Sequence, residues 1–468
     1  THCISSAASD VYKRQIYTSP DSITSIEDAT WAGRVFARNG SNYRLDDYIP
    51  GARWKLPALS GATSVAVNQA YFVVTPHEAG ISYYAVVLTG LTSVGPENTT
   101  GPVAETTDPV TCTVQYTDNT LTIYGHWIDG RSDYNSGRPD YPVMGNEFSN
   151  GVGENFAEWI PFFGYPPGDL PMNICLHGGM DNLFVSGTLP DIGPYLMPDG
   201  YFVSFDDALP AIEPLSMEYM NVNTVWFGYY SNYCRFSPAY PTSQDTIIDY
   251  TIKRIHWETN WLVDSLSIDP ARISIMGFSM GANGLGLLTQ FYPELYSAAL
   301  VYVPRGAGTQ HPARNRLIGF PYQNLPSNLE GNPGIYDAIN WFWRLQNVHT
   351  GEVDWPYTII VSGKNDDLAG WSEKPELYTV LDSAATGFVL YWDEREHNNW
   401  DNAHFRHSEH HNPRYISGFS SDESFPAFSA TDTDIETPGR QPDPGNGDPL
   451  SGDPWGTWGG YLLSLIHI

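Results

Sequence analysis

Residues 277–281 read Gly-Phe-Ser-Met-Gly, a serine with a residue lacking side-chain bulk two positions away on either side. The pentapeptide follows the apolar run 272–276 and precedes a small-residue stretch expected to be helical over 282–291. That setting predicts a sharp strand-to-helix turn with Ser279 at its tip. On such a turn the hydroxyl stands clear of the sheet. The amide of Met280 then lies at the positive end of the helix, where an oxyanion would be stabilised. Ser279 is the candidate nucleophile of an acyl transfer, and a serine in that role needs a base oriented by a third group. The run 388–392 leads into Asp-Glu-Arg-Glu-His and supplies His397 as the base. The run 357–362 leads into Gly-Lys-Asn-Asp-Asp and supplies the acid. Asp366 is favoured because its G-x-x-D spacing turns the side chain back across the sheet edge, and Asp367 is the alternative acid. Its work would be to fix the histidine tautomer and stabilise the imidazolium. A second oxyanion donor is expected upstream, where Leu-His-Gly-Gly-Met at 176–180 ends an apolar run and offers the amide of Gly179 or Met180.

These groups need a scaffold that brings distant residues together. Strands are expected at 121–128, 156–162, 172–176, 224–229, 272–276, 298–303, 357–362 and 388–392. Helices are expected at 243–264, 282–291 and 374–385. Valine- and isoleucine-rich strands alternating with helices argue a mostly parallel sheet with helices on both faces. Reacting groups then gather at the carboxyl ends of the strands. Before this region, residues 16–109 carry short β-rich runs separated by turn residues, the pattern of a small β-sandwich.

The texts LHGG, DPARISIMGFSMGANG, SGKNDD and YWDEREH, in that order, resemble the secreted esterase branch of the α/β hydrolases that includes polyhydroxyalkanoate depolymerases and feruloyl esterases. The resemblance spans roughly residues 120–410. It implies an α/β-hydrolase catalytic domain over 110–417 and carboxylic-ester hydrolysis through an acyl-enzyme without a cofactor. The catalytic residues it implies are Ser279, Asp366 and His397. The chain departs from many relatives in Gly-Ala-Asn-Gly after the serine, where they carry a further glycine. Residues 16–109, with AYFVVTPHEAGISYYAVVLTG, resemble a fibronectin type III domain. A serine peptidase of the prolyl-oligopeptidase type uses the same triad and is the alternative enzyme. A non-catalytic hydrolase-like binding protein is the alternative without chemistry.

The 468 residues carry a net charge of −30, and only five are lysines. Such a surface repels nucleic acid and anionic membranes, and no apolar run is long enough to span a bilayer. The partner that the esterase resemblance implies is an ester substrate, polymers included, met outside a bacterial cell. Segments 10–15 and 463–468 resemble the two translated strands of a sequencing-transposon end. Residues 1–15 and 463–468 are thus expected to be adaptor-derived, in a reading frame from metagenomic DNA whose natural ends are lost. Removing Asp10, Lys13 and Arg14, together +1, leaves −31 on the rest. Residues 418–462, rich in Asp, Pro and Gly, are expected to be an acidic linker or a truncated β module. His404, His407, His410 and His411 are dense enough to raise a metal site, but a solvated histidine-rich surface is the expectation, with no metal ligand assigned. Cys112, Cys175 and Cys234 allow at most one disulfide. The aromatic residues of 306–346 and the WFGYY at 226–230 would either wall the site or fill a core.

Overall fold

A strand buried on both faces has no reason to alternate polar and apolar residues, and the strands leading to Ser279 do not alternate. The computed structural model describes residues 14–35, 72, 74, 76, 78–88, 90–105, 112–128, 144, 151–161, 164–179, 181, 183–184, 197, 199–207, 209, 223–233, 240–305, 315–348, 355–384, 386–397, 413–423 and 442–459. The chain divides into two units. The first comprises residues 1–157, 208–222 and 230–241, and the second 158–207, 223–229 and 242–468.

In the first unit, β1 (Arg14–Ser19), β2 (Thr30–Val35), β3 (Gly80–Leu88) and β4 (Thr99–Glu105) form an antiparallel sheet in the order β2-β1-β3-β4. Period-two alternation turns Tyr84 and Val86 of β3 inward onto Ile16, Ala32 and Val103. β1 begins at Arg14, two residues inside the segment set aside above as adaptor. The next two strands, β5 (Cys112–Thr117) and β6 (Leu121–Ile128), make a hairpin. Its turn is fixed by Asp118, whose Oδ1 accepts the amides of Thr120 at 2.6 Å and Leu121 at 3.0 Å. β7 (Val152–Trp159) starts four residues earlier than the sequence suggested. The polar types of Glu154 and Asn155 disguise it, since both are buried in the strand.

The second unit contains β8 (Leu170–Leu176), β9 (Tyr201–Phe205), the first residue of the two-residue strand β10 (Tyr229–Tyr230), and β11 (Ile247–Ile248). Then come α1 (Tyr250–Ser265), β12 (Ile268–Phe278), α2 (Met280–Phe291), β13 (Ala298–Tyr302), α3 (Asn315–Ile318), α4 (Ile335–Ala338) and α5 (Trp341–Asn347). The unit ends with β14 (Tyr357–Gly363), α6 (Lys374–Ser383), β15 (Phe388–Asp393), α7 (Pro413–Ile416) and β16 (Gly456–Gly459). Its strands stand in the order β16-β15-β14-β13-β12-β8-β9. They run parallel from β15 to β9, with β16 antiparallel on β15. This is the α/β-hydrolase arrangement expected above. α1 presents Ile252, Ile255, Thr259 and Leu262 inward at helical spacing. α2 keeps Gly284 because the Trp226 ring lies where a Cβ would sit, 2.2 Å away.

Three readings change. Residues 224–228 do not form a strand, and only Tyr229, at the end, enters β10, since Val225 and Trp226 take positive φ of 51° and 63° and the segment turns. Its apolarity reflects burial, as Trp226 and Phe227 are fully enclosed. Residues 201–205 form a central strand, and residues 456–459 extend the sheet. The second of these differs from a linker over 418–462. Cys112 and Cys175 are free thiols, and burial pushes Cys175 up to about 12. Cys234 lies outside the described residues. No helix among the described residues is long and apolar enough to cross a membrane.

Candidate active site

The chain reverses its direction across the sheet between β8 and β12: β9 lies outside β8, and β13 to β15 follow on the other side of β12. Loops at the carboxyl ends of these two strands diverge and leave a crevice. Gly277 pairs with Leu176, so Ser279 and Gly178 leave neighbouring strands at the same level. Ser279 has φ 54° and ψ −112°, a strained conformation for a residue with a Cβ. Strain of this kind costs about 1–3 kcal/mol and needs support from its surroundings. The Ser279 amide donates to the Tyr302 carbonyl at 3.0 Å, and its carbonyl accepts the Asn283 amide at 3.3 Å. A Cβ on Gly277 would lie 2.3 Å from the Gly281 carbonyl oxygen, and one on Gly281 would lie 2.1 Å from that of Leu176. Both flanking glycines are therefore required by backbone crossing at the turn.

The structure brings the candidate base and acid to this serine. His397 Nε2 lies 2.9 Å from Ser279 Oγ, and its Nδ1 lies 2.9 and 2.8 Å from the two oxygens of Asp366. With Nδ1–H donating to the carboxylate, Nε2 offers its lone pair to the serine hydroxyl. Asp366 Oδ1 also accepts the amides of Leu368 at 2.9 Å and Ala369 at 2.7 Å. Burial works to raise its pKa, but the hydrogen bonds from His397 and these amides outweigh it and hold the carboxyl below the ordinary range. Asp367 is exposed, one residue further along the same turn, and Asp366 rather than Asp367 lies against the imidazole. The acid and base loops are fastened together. Gly363 pairs with Asp393, the Lys364 amide donates to the Asp393 carbonyl at 2.7 Å, and Asn365 Nδ2 donates to the Glu394 carbonyl at 2.6 Å.

Met280 opens α2, so its amide is among those a helix leaves without an internal acceptor. Gly179 lies against it, with the Met280 Cβ and Sδ 3.9 and 4.0 Å from where a Gly179 Cβ would be. Met180 lies outside the described residues. Beneath this loop is a buried group that sequence reasoning did not connect to the site. His177 is fully enclosed, with Nδ1 donating to the Gly178 carbonyl at 2.7 Å and Nε2 accepting the Asp207 amide at 3.2 Å. Asp206 Oδ1 is 3.5 Å from the same Nε2. Burial disfavours protonated His177, but the carboxylates of Asp206 and Asp207 more than offset this and raise its pKa. Asp207 accepts the Trp226 amide at 2.9 Å and the Thr224 hydroxyl, yet burial dominates and pushes it up to about 6. The usable signal was the Asp-Asp pair ending the apolar run 201–205.

The described residues contain no group of three His, Cys, Asp or Glu side chains placed to hold a metal ion. His404, His407, His410 and His411 lie outside the described residues. Of the aromatic candidates, Trp226, Phe227, Trp341 and Phe342 are core, whereas Tyr322 is 83% exposed and stacks on Phe320 with ring centroids 5.4 Å apart.

No protein-family model matches the chain. Over 79 residues it is 27% identical to the probable acetylxylan esterase A of Aspergillus fumigatus, covering 17% of this chain and about a fifth (21%) of that relative's length. Among solved structures, it is similar to an S-formylglutathione hydrolase from Agrobacterium tumefaciens, with a TM-score of 0.40 and 14% identity over 66% of this chain and 94% of that one. An acetyl xylan esterase from Paenibacillus sp. R4 gives a TM-score of 0.40 and 13% identity over 66% of this chain and 88% of that one.

Proposed function

We propose that the chain is a serine carboxylic-ester hydrolase working through an acyl-enzyme. The observation that carries this reading is the continuous line from Ser279 Oγ through the His397 ring to Asp366, at 2.9 and 2.8 Å. His397 Nε2 takes the hydroxyl proton as Ser279 Oγ attacks the ester carbonyl carbon. The carbonyl oxygen gains the negative charge and is held by the amide of Met280 and that of Gly179 or Met180. Asp366 stabilises the imidazolium. When the tetrahedral adduct collapses, the C–O bond to the alcohol breaks and the leaving oxygen takes the proton from Nε2. Water, deprotonated by the same nitrogen, then attacks the acyl-serine and releases the acid. Each amide would lower the barrier by about 3 kcal/mol. No step uses a cofactor.

The substrate class we favour is an extracellular ester, polymeric polyhydroxyalkanoate, feruloyl or related esters included. The acidic, lysine-poor composition suits a solvated extracellular protein. The short likeness to a probable acetylxylan esterase favours an ester borne on a polymer. Ser279→Ala should lower turnover of p-nitrophenyl acetate by about 10⁴-fold or more without altering the circular dichroism spectrum. Undiminished turnover would refute the assignment. A panel running from acetyl to long-chain and feruloyl esters, with a solid polyester and a peptide anilide, then separates the substrate classes.

A further inference from the structure

Lys364 follows the end of β14 and stands two residues before Asp366, yet its side chain is almost wholly enclosed, at 2% exposure. Its ammonium donates to the Ser451 carbonyl and, at 2.9 Å, to the Asp453 carbonyl. It also lies 5.5 Å from the centre of the Trp371 ring. Both acceptors belong to a tight turn, residues 443–453. There Asp453 donates its amide to the Asp443 carbonyl at 2.7 Å, and Asp443 donates its own to Asp453 Oδ2 at 2.7 Å. Two indoles fasten the same turn: Trp371 Nε1 donates to the Pro444 carbonyl and Trp392 Nε1 to the Asp453 carbonyl, each at 3.1 Å. Just beyond it, Gly456 of β16 pairs with Trp392 of β15, the strand that leads to His397.

The acid turn is thus held from two directions. Its backbone is tied to the base loop through the Lys364 amide and Asn365, and its lysine is tied to a segment some ninety residues further along the chain. An enclosed ammonium is costly without acceptors, so these carbonyls fix where the Lys364 stem runs and hence where the next turn starts. The carboxylates of Asp453, Asp443, Glu394 and Asp448 favour its charge, although burial prevails and its pKa is lowered.

We propose that Lys364 is a positioning residue through which the C-terminal turn 443–453 holds Asp366 in register with His397, making this segment part of the catalytic apparatus. The inference rests on the Ser279–His397–Asp366 reading above. It reassigns a stretch that looks like a linker in sequence to a brace of the acid turn. A displacement of Asp366 by about 1 Å would cost turnover about 10²-fold, with little effect on ester binding.

The test uses the full chain and p-nitrophenyl acetate, with kcat/KM measured against pH and kcat normalised to the sites labelled by a fluorophosphonate. Lys364→Met removes the donor and keeps an apolar stem. Gly452→Val breaks the turn instead, because a Cβ there would lie 2.3 Å from the Asp443 carbonyl and Gly452 has φ 69°. Each should lower kcat about 10- to 100-fold with KM within about twofold. Each should also move the acid limb of the profile to lower pH, since a displaced carboxylate stabilises the imidazolium less. Lys364→Arg should restore most of the loss. The double variant should be no worse than the poorer single one, because both act through one contact. An unchanged profile and kcat in Lys364→Met, or losses that multiply in the double variant, would overturn the proposal. If Lys364→Met yields no labelled protein, Gly452→Val and Lys364→Arg carry the same comparison. Asp366→Asn separates the two readings: if it is crippled while Lys364→Met is normal, only the brace fails, and if it is itself fully active, the triad fails.

Discussion

Two aspartate–histidine pairs lie after strands of the parallel sheet, one after β14 and β15 and the other after β9 and β8, and their carboxyl groups are shifted in opposite directions. Asp366 faces the His397 ring with both oxygens and receives two amides, so hydrogen bonding overcomes burial and the group stays ionised. Asp207 presents its main-chain amide to the His177 ring, and its carboxyl receives the Trp226 amide and the Thr224 hydroxyl through Oδ1. Deeper burial then raises it to about 6. The contrast shows how environment separates two identical side chains: one is kept charged against an imidazole, the other is kept easy to protonate within a loop. His177 in turn holds the loop after β8 through the Gly178 carbonyl, at 2.7 Å.

The sharpest way to break this comparison is Asp366→Asn. It should lower kcat by about 10⁴-fold by presenting the wrong hydrogen-bond partner to His397 Nδ1, as measured on p-nitrophenyl acetate. His177→Ala comes next. It leaves the Gly178 carbonyl and the Asp207 amide without their partner, so kcat should fall about 10²-fold and stability by about 2–4 kcal/mol, followed by chemical denaturation. If turnover per labelled site is unchanged, the oxyanion loop does not depend on this ring.

The third prediction is a pH dependence. The folded pKa of Asp207 is raised from 3.8 to about 6, so its contribution favours folding at low pH and is lost as pH rises between those values. The raised His177 adds a loss of the same sign at higher pH. Asp366, with its depressed folded pKa, behaves oppositely: its contribution is present above the unfolded value and is lost as pH falls below it. Asp207→Asn keeps an acceptor for Trp226 and Thr224 and should flatten the neutral-side decline by about 2–3 kcal/mol, measured by denaturant unfolding at pH 4 and pH 7. A decline of unchanged size in the variant would assign the effect elsewhere. The smallest effect belongs to Asp367→Asn, expected to stay within about twofold of the parent in kcat/KM, because this exposed carboxyl makes no contact with the imidazole.

Much of the acid–base side was legible in sequence because its signals are local. Gly277 and Gly281 mark backbone crossings one turn apart, and His397 and Asp366 each follow an apolar run by a few residues. Asp366 and Asp367 are separated in sequence by spacing alone, since neighbours in a turn differ in direction rather than in type. Residues 224–229 misled for a different reason: apolar composition reports burial, and both a strand and an enclosed turn satisfy it. Glu154 and Asn155 hid the start of β7 by the reverse argument, polar groups inside a strand.

By itself the sequence determined the strand-to-helix turn at Ser279, the chain order of the candidate serine, acid and base, and the parallel-sheet class. Each is read from short local signals placed along the chain, where glycine placement and apolar runs constrain the backbone directly. Only the tertiary structure decided that His177, Asp206 and Asp207 meet at the ends of β8 and β9, and that Lys364 reaches across to Ser451 and Asp453. The physical reason is that a buried polar group takes whatever partner the packing of distant segments delivers, and no local pattern encodes that meeting.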